Sequence, residues 1–243
     1  GVGRKAGIGA AIARALAEAG AGVFITYFSA YDAAMPWAPR DAEPAQLLAE
    51  LQAAGHRAAG QEADLGDPAV PGALFDAAEA ALGPVNILVN NATYSTNDGI
   101  DRLTAETLDR HYRVNVRGMA LLCQEFVRRF RRDAGGRIIN LTSGQGLGPM
   151  PGELAYVATK GAVDAFTVSL SAEIMGHGIT VNAVDPGITD TGWITPDLRA
   201  RFLDDAPTGR LGTPDDAARL VAFLASDEAA WITGQIIRSR GGQ

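Results

Sequence analysis

A single cysteine, Cys123, in 243 residues excludes an internal disulfide framework and any metal site built from several thiolates. Basic charge is also scarce. The chain has 21 lysines and arginines against 28 aspartates and glutamates, a formal charge of -7. Binding to a phosphate backbone needs a basic surface, so nucleic acid is not expected as a partner. No apolar run approaches the roughly 20 residues of a membrane-spanning helix. No membrane partner is therefore expected, and the expected location is cytoplasmic. The three histidines, His56, His111 and His177, are scattered and read as solvated residues, so no metal centre is expected either.

The composition, 47% hydrophobic and 20% charged, is that of a folded globular protein. Short apolar runs at 23–27, 85–89, 137–141, 179–184 and 235–238 predict strands. Helical patterns at 10–19, 104–132, 153–175 and 214–226 lie between them. This alternation predicts an α/β fold: a Rossmann-like, doubly wound parallel sheet covered on both faces. No repeat or low-complexity linker divides residues 1–243, which are expected to form a single domain. Two stretches read as long irregular loops: 29–44, with Pro36, Trp37 and Pro39, and 188–211, with Trp193, Pro196 and Pro207. The second is the better candidate for ligand contacts.

Gly1, Gly3, Gly7 and Gly9 lead into an alanine-rich helix. Glycines there let the backbone approach a pyrophosphate, while the free N–H groups and dipole of the helix start attract its charge. Such a loop normally follows a strand that ends at the first glycine. That first strand is central in a doubly wound sheet, so a further strand upstream of Gly1 is expected.

Only Lys5 and Lys160 are lysines; every other basic side chain is arginine. Lysine is a compact, titratable point charge, which arginine is not. Lys160 stands four residues after Tyr156, a spacing that puts both side chains on one helix face. A phenol has a reference pKa of about 10, and a neighbouring ammonium favours its ionised form. The pair is expected to exchange a proton near neutrality. Ser143, at the end of the strand predicted over 137–141, is placed to hydrogen-bond a carbonyl oxygen or an alkoxide.

Together these residues resemble the short-chain dehydrogenase/reductase family over essentially the whole chain, in the general pattern of 3-oxoacyl-carrier-protein reductases. The resemblance assigns the segment Gly1–Gly9 to the glycine-rich loop, Asp64 and Leu65 to the adenine contact, and Asn90-Asn91-Ala92-Thr93 to the Asn-Asn-Ala-Gly motif. It implies a catalytic tetrad of Asn115, Ser143, Tyr156 and Lys160. Pro186, Gly187, Ile188 and Thr191 match the segment beside the nicotinamide, and Trp231–Gln235 with Gly241-Gly242 match the family's tail. Thr93 departs from the usual glycine, and the glycine-rich loop either runs from Gly1 to Gly7, two residues longer than usual, or begins at Gly3 with Val2 in the usual threonine position; the longer loop is favoured, since Gly1 would then directly follow the expected strand. Arg238-Ser239-Arg240 makes the tail basic, with no role assigned to it.

The resemblance implies hydride transfer between a nicotinamide cofactor and a ketone or secondary alcohol. Tyr156 would be the acid–base, Lys160 would lower its pKa and bind the nicotinamide ribose, and Ser143 would polarise the carbonyl. Asn115 would support a water linking Lys160 to solvent. The cofactor-binding set is Gly1, Gly3, Arg4, Lys5, Gly7, Ile8, Asp64, Leu65, Asn91, Ala92, Tyr156, Lys160, Pro186, Gly187, Ile188 and Thr191. NADP(H) is expected over NAD(H), because the second strand ends without an acid and Arg4 and Lys5 lie where a 2′-phosphate could be met. Against this, Asp32 could curl back and select NAD. The alternatives are an NAD-dependent alcohol or sugar dehydrogenase and a catalytically idle nucleotide-binding regulatory protein. Enoyl reduction is set aside, because enoyl reductases of related fold space tyrosine and lysine more widely. Arg128-Arg129-Phe130-Arg131-Arg132 is read as a helix end rather than a nucleic-acid patch. The apolar residues Trp193, Ile194, Leu198 and Phe202 suggest a lid over a small-molecule substrate. A homo-oligomer, dimer or tetramer, is expected through the helices carrying Asn115 and Tyr156, with Ala155, Ala162, Phe166 and Leu170 at the contact.

Overall fold

The computed structural model describes residues 1–35 and 42–242. Helices α1 (Ile8–Glu18), α2 (Ser29–Ala33), α3 (Glu43–Ala53) and α4 (Val70–Leu82) alternate with strands β1 (Val23–Tyr27), β2 (Ala58–Glu62) and β3 (Ile87–Asn90). Then follow α5 (Ala105–His111), a π-helical turn (Tyr112–Gly118) and α6 (Met119–Arg129). The second half runs β4 (Gly136–Leu141), α7 (Leu154–Glu173), β5 (Ile179–Asp185), α8 (Pro196–Asp204), α9 (Pro214–Ala225) and β6 (Ile236–Arg238). All strand pairs are parallel, in two groups: β1–β2, and β3–β4–β5–β6 in that order. Between the groups lies the start of the chain, where the Val2 N–H donates to the Thr26 carbonyl at 2.7 Å.

Every residue of β4 is buried, as expected of a parallel strand covered on both faces. Its side chains divide between two cores. Ile138 packs with Phe75, Phe126, Val163 and Val181 on one face. Ile139 packs with Ile12, Val184, Val221 and Leu224 on the other. A third cluster, centred on Leu47, holds α1 and α3 on β1 and β2. A polar ladder crosses the first core: Asn90 Nδ2 donates to Asn140 Oδ1 at 2.8 Å, and Asn140 Nδ2 to Thr167 Oγ1 at 2.9 Å.

Several expectations are corrected here. The stretch 29–44 is not one irregular loop, since α2 occupies its start and α3 begins at Glu43; Pro36, Trp37 and Pro39 lie outside the described residues. The stretch 188–211 contains α8, whose N-cap Thr195 accepts a hydrogen bond from the Leu198 N–H, with Pro196 in the first turn. The helix read over 104–132 is interrupted by the π-helical turn. His111 is not solvated: it is fully buried, its Nδ1 lies 2.8 Å from the Thr107 carbonyl, and its ring meets Tyr94 edge-on. Ala155 is buried inside the protomer rather than at a subunit contact.

Candidate active site

The parallel sheet brings the predicted residues to one edge, because the carboxyl ends of all its strands point the same way. Asn91 and Ala92 follow β3, Ser143 follows β4, and Pro186, Gly187 and Ile188 follow β5. Asp64 and Leu65 follow β2, where the exposed Asp64 carboxylate accepts from the Gly66 N–H at 2.8 Å.

The glycine-rich loop makes close backbone contacts. Gly7 caps α1 with no side-chain hydrogen bond, and the first turn carries no acid. A Cβ on Gly9 would collide with the Gly1 carbonyl oxygen and stand 2.6 Å from Asn91 Nδ2. Asn91 Nδ2 itself donates to the Gly1 carbonyl at 2.6 Å. A bare helix N-terminus framed by close-packed glycines fits a dinucleotide pyrophosphate. Arg4 donates to the Thr191 carbonyl at 2.8 Å, linking the loop to the segment after β5. Lys5 turns instead towards α3, where its ammonium pairs with Glu50 and its N–H donates to Glu43 Oε2 at 2.6 Å. The Asp32 carboxylate lies against Gly3, in the space a Cβ there would need. Burial raises the pKa of that carboxyl, while the Arg4 guanidinium opposes the rise.

Tyr156 and Lys160 share one face of α7, with Lys160 Nζ 5.5 Å from the centre of the Tyr156 ring. Lys160 is 4% exposed, and its ammonium donates to the Leu141 carbonyl at 2.7 Å. Burial lowers its pKa to about 8, against a smaller raising effect from Asp164. Burial pushes the Tyr156 phenol up to about 12, and a hydrogen bond with the Ser143 side chain only partly offsets this. The expectation that the ammonium would draw the phenol down towards neutrality is therefore corrected: desolvation of the ring oxygen outweighs it.

Asn115 is buried in the π-helical turn. Its Oδ1 accepts from the Tyr94 N–H at 2.7 Å and the Thr93 hydroxyl at 3.2 Å. Its Nδ2 donates to the Tyr94 carbonyl at 2.9 Å and to Thr159 Oγ1 at 3.0 Å. The side chain thus ties the loop after β3 to α7. Thr93, the departure from glycine, contributes a hydroxyl to that tie.

Asp98 belongs to no motif in the sequence, yet it caps α7, the helix that carries Tyr156 and Lys160. Its carboxylate accepts from the Leu154 N–H at 2.6 Å and the Ala155 N–H at 2.9 Å. The N-cap residue of α7, Glu153, supplies no side-chain bond of its own. A long helix starting without a Ser, Thr, Asp or Asn cap is the sequence signal that points to a remote one. In the segment after β5, Trp193 packs on Phe202 of α8 with ring centres 6.2 Å apart, and its Nε1 donates to the Thr189 carbonyl at 3.1 Å. Cys123 is buried, with its thiol pushed up to about 12, so no reactive thiolate is available there. Among the described residues no cluster of three or more His, Cys, Asp or Glu side chains could hold a metal ion. No helix among them is long and apolar enough to cross a membrane.

A family model described as enoyl-(acyl carrier protein) reductase matches residues 1–243. An uncharacterized oxidoreductase of Bacillus subtilis, YjdA, is 49% identical over 97% of this chain and 91% of its own. An NADPH-dependent aldehyde reductase-like protein of Arabidopsis thaliana chloroplasts is 39% identical over 99% of this chain and 91% of its own. A short chain dehydrogenase from Burkholderia cenocepacia, solved in complex with NADP, superposes with a TM-score of 0.86 at 33% identity, covering 97% of this chain and 92% of that one.

Proposed function

Because the chain belongs to the short-chain dehydrogenase/reductase family, whose oxidoreductases act on carbonyl and alcohol groups, we propose that it is an NADPH-dependent carbonyl reductase with Tyr156 as proton donor. The observation that carries this reading is the placement of the Tyr156 phenol, bonded to Ser143 and with Lys160 Nζ 5.5 Å from its ring. A protonated phenol there can give its proton to the oxygen of a ketone or aldehyde as that oxygen gains charge.

When bound, the nicotinamide supplies the hydride. Ser143 hydrogen-bonds the substrate carbonyl oxygen and orients it towards Tyr156 Oη. As negative charge develops on that oxygen, Tyr156 gives up its proton and the product leaves as the alcohol. Lys160, fixed by the Leu141 carbonyl, stabilises the phenolate that remains and binds the nicotinamide ribose together with Tyr156. Asn115 holds residues 93–94 against α7 and so fixes the wall of the site. Gly1, Gly3, Gly7 and Ile8 would cradle the pyrophosphate, with Asp64, Leu65, Asn91 and Ala92 towards the adenosine half. Pro186, Gly187, Ile188 and Thr191 would face the nicotinamide.

NADP(H) is the preferred cofactor in this reading. It is supported by Arg4 in the glycine-rich loop and by the NADPH and NADP named for two of the relatives, while Lys5, paired with Glu50, lends it nothing. The position of Asp32 against Gly3 favours NAD(H) as a second reading, since a carboxylate near the ribose repels a 2′-phosphate. A homo-oligomer and a cytoplasmic location complete the proposal. Exposed Leu108, Tyr112, Leu154 and Val168, on the same stretch of helices, support the first.

The test is the oxidation of NADPH and of NADH over a panel of ketones and aldehydes, using wild type, Tyr156→Phe and Asp32→Ala. Turnover that prefers NADPH and is lost in Tyr156→Phe is expected. Turnover that survives in Tyr156→Phe would remove the proton-donor role. A preference for NADH that reverses in Asp32→Ala would establish the second cofactor reading.

A further inference from the structure

The basic tail, which the catalytic scheme leaves without a role, ends in a side chain lodged beside the site. Arg240 Nη1 lies 3.2 Å and 3.1 Å from the two carboxylate oxygens of Asp185, the last residue of β5. Asp185 is 2% exposed and the Arg240 side chain 16%. The same carboxylate accepts from the Gly187 N–H at 3.0 Å, and the Asp185 carbonyl accepts from the Ser239 N–H at 2.8 Å.

The arginine also fills the space between two glycines. A Cβ on Gly144 would stand 2.6 Å from Arg240 Nη1. A Cβ on Gly187, which has φ +66, would stand 2.9 Å from Arg240 Cγ and 3.1 Å from its Cα. Gly144 directly follows Ser143, and Gly187 directly follows Pro186. One side chain therefore touches the serine loop with its head and the Pro-Gly turn with its stem.

A buried ion pair is weak evidence for stability, because desolvation offsets the attraction. Here the Arg240 Nε is also buried without a partner among the described residues, which makes the pair a poorer stabiliser still. What the pair does supply is a fixed separation between three segments.

We propose that Arg240 is a positioning residue of the active site, which clamps Asp185 and spaces the Ser143 loop from the Pro186–Gly187 turn. The proposal rests on the reading of Ser143 as the group that orients the substrate carbonyl. The charged and titratable groups bearing on Tyr156 are Glu153, Asp185, Tyr31 and Lys160, with the Ser143 hydroxyl bonded to it. Asp185 is the one that Arg240 neutralises, so losing Arg240 leaves a negative charge facing the phenol.

Two readouts on Arg240→Met, Arg240→Lys and Asp185→Asn/Arg240→Met test this. The first is amide hydrogen exchange on cofactor-free protein. Arg240→Met is expected to speed exchange at 142–147 and 186–190 about tenfold relative to α4, with Arg240→Lys in between. The second is steady-state reduction. Arg240→Met is expected to lower kcat by about 10- to 100-fold, in the range set by small misplacements, while KM for NADPH moves less than about threefold. The double variant, which also removes the carboxylate and still lacks the clamp, is expected to keep the faster exchange in both segments. A folded Arg240→Met with wild-type exchange in both segments and kcat within about twofold would overturn the proposal. If Arg240→Met does not fold, Arg240→Lys takes its place, and wild-type values in both readouts overturn the proposal in the same way. If wild type reduces no carbonyl compound, the functional reading fails separately, and the exchange data still decide whether Arg240 braces the two loops.

Discussion

The ammonium of Lys160 donates to the Leu141 carbonyl at 2.7 Å, and among the described residues the fold gives this buried cation no ion-pair partner in direct contact. This has a pH signature. The lysine pKa falls to about 8 in the folded protein, against about 10.4 when unfolded. Between those values the unfolded chain binds a proton that the folded one has released, so stability rises with pH across this window and is lowest below it. Lys160→Met removes the penalty and is expected to stabilise the protein at pH 7 by up to roughly 3 kcal/mol, while abolishing turnover. Thermal melts from pH 6.5 to 10 would check this: the advantage of the variant should shrink as pH rises.

Tyr156→Phe keeps the ring and loses the hydroxyl. Turnover is expected to fall by about 10²- to 10⁴-fold, the usual contribution of a positioned acid, with little change in KM for the cofactor. With the phenol at about 12 in the folded protein, wild-type alcohol oxidation should climb steadily from pH 8 to 10 while ketone reduction shows no decline attributable to Tyr156. Initial rates measured in both directions over that range decide the point.

Asp98→Ala leaves the Leu154 and Ala155 N–H groups without their acceptor at the start of α7. A lost cap bonded to charge costs about 1–3 kcal/mol. Because Tyr156 is the next residue along, a fall in kcat should accompany the loss of stability. Urea unfolding and kcat, measured together, should move in the same direction. Asp98→Asn, which keeps one acceptor oxygen, should lie between Asp98→Ala and wild type.

Asn115→Ala removes four hydrogen bonds that join residues 93–94 to α7. Leaving buried donors and acceptors unpaired costs about 1–3 kcal/mol each at most, and is not additive. A loss of roughly 2–4 kcal/mol is expected on those grounds. Thr93→Gly removes one of the four bonds and is expected to cost less than about 1 kcal/mol. Denaturant midpoints for the two variants, compared side by side, would reveal whether the amide or the hydroxyl dominates.

The strands of the main core and the tyrosine–lysine face are legible in the sequence because each signal is local. Ile138 and Ile139 sit side by side in a short strand-like segment that follows two glycines, and Tyr156 and Lys160 are one helical turn apart. What escapes a sequence reading is either weak or non-local. β2 is Ala-Ala-Gly-Gln-Glu, with no β-branched residue to mark it as a strand. α3 buries only Leu47 and Leu51, too thin a stripe to stand out. The π-helical turn buries Asn115 and Gly118 rather than an apolar stripe, so no hydrophobic pattern marks it. Asp98 and Arg240 act across 56 and 55 residues respectively, and no spacing rule connects positions so far apart. The direction of the Tyr156 shift is hidden for a related reason. A neighbouring cation is visible in a sequence, whereas the extent of desolvation depends on how the whole site closes.

The amide ladder through Asn90, Asn140 and Thr167 has a consequence for how the sheet finds its pairing. Asn90 stands directly opposite Asn140 in the β3–β4 register. Apolar strands such as these resemble one another after a shift of two residues, since the same faces still look inward. Three interlocking hydrogen-bonding groups do not. A shifted β3 would break the Asn90–Asn140 bond and leave the Asn90 amide and Asn140 Oδ1 without each other, while Asn140 keeps Thr167, at about 1–3 kcal/mol for each orphaned group. The ladder therefore acts as a proofreading device. It penalises the mispaired sheets that greasy contacts alone would tolerate, and it sits directly beneath the edge where a one-step error would displace every residue of the site.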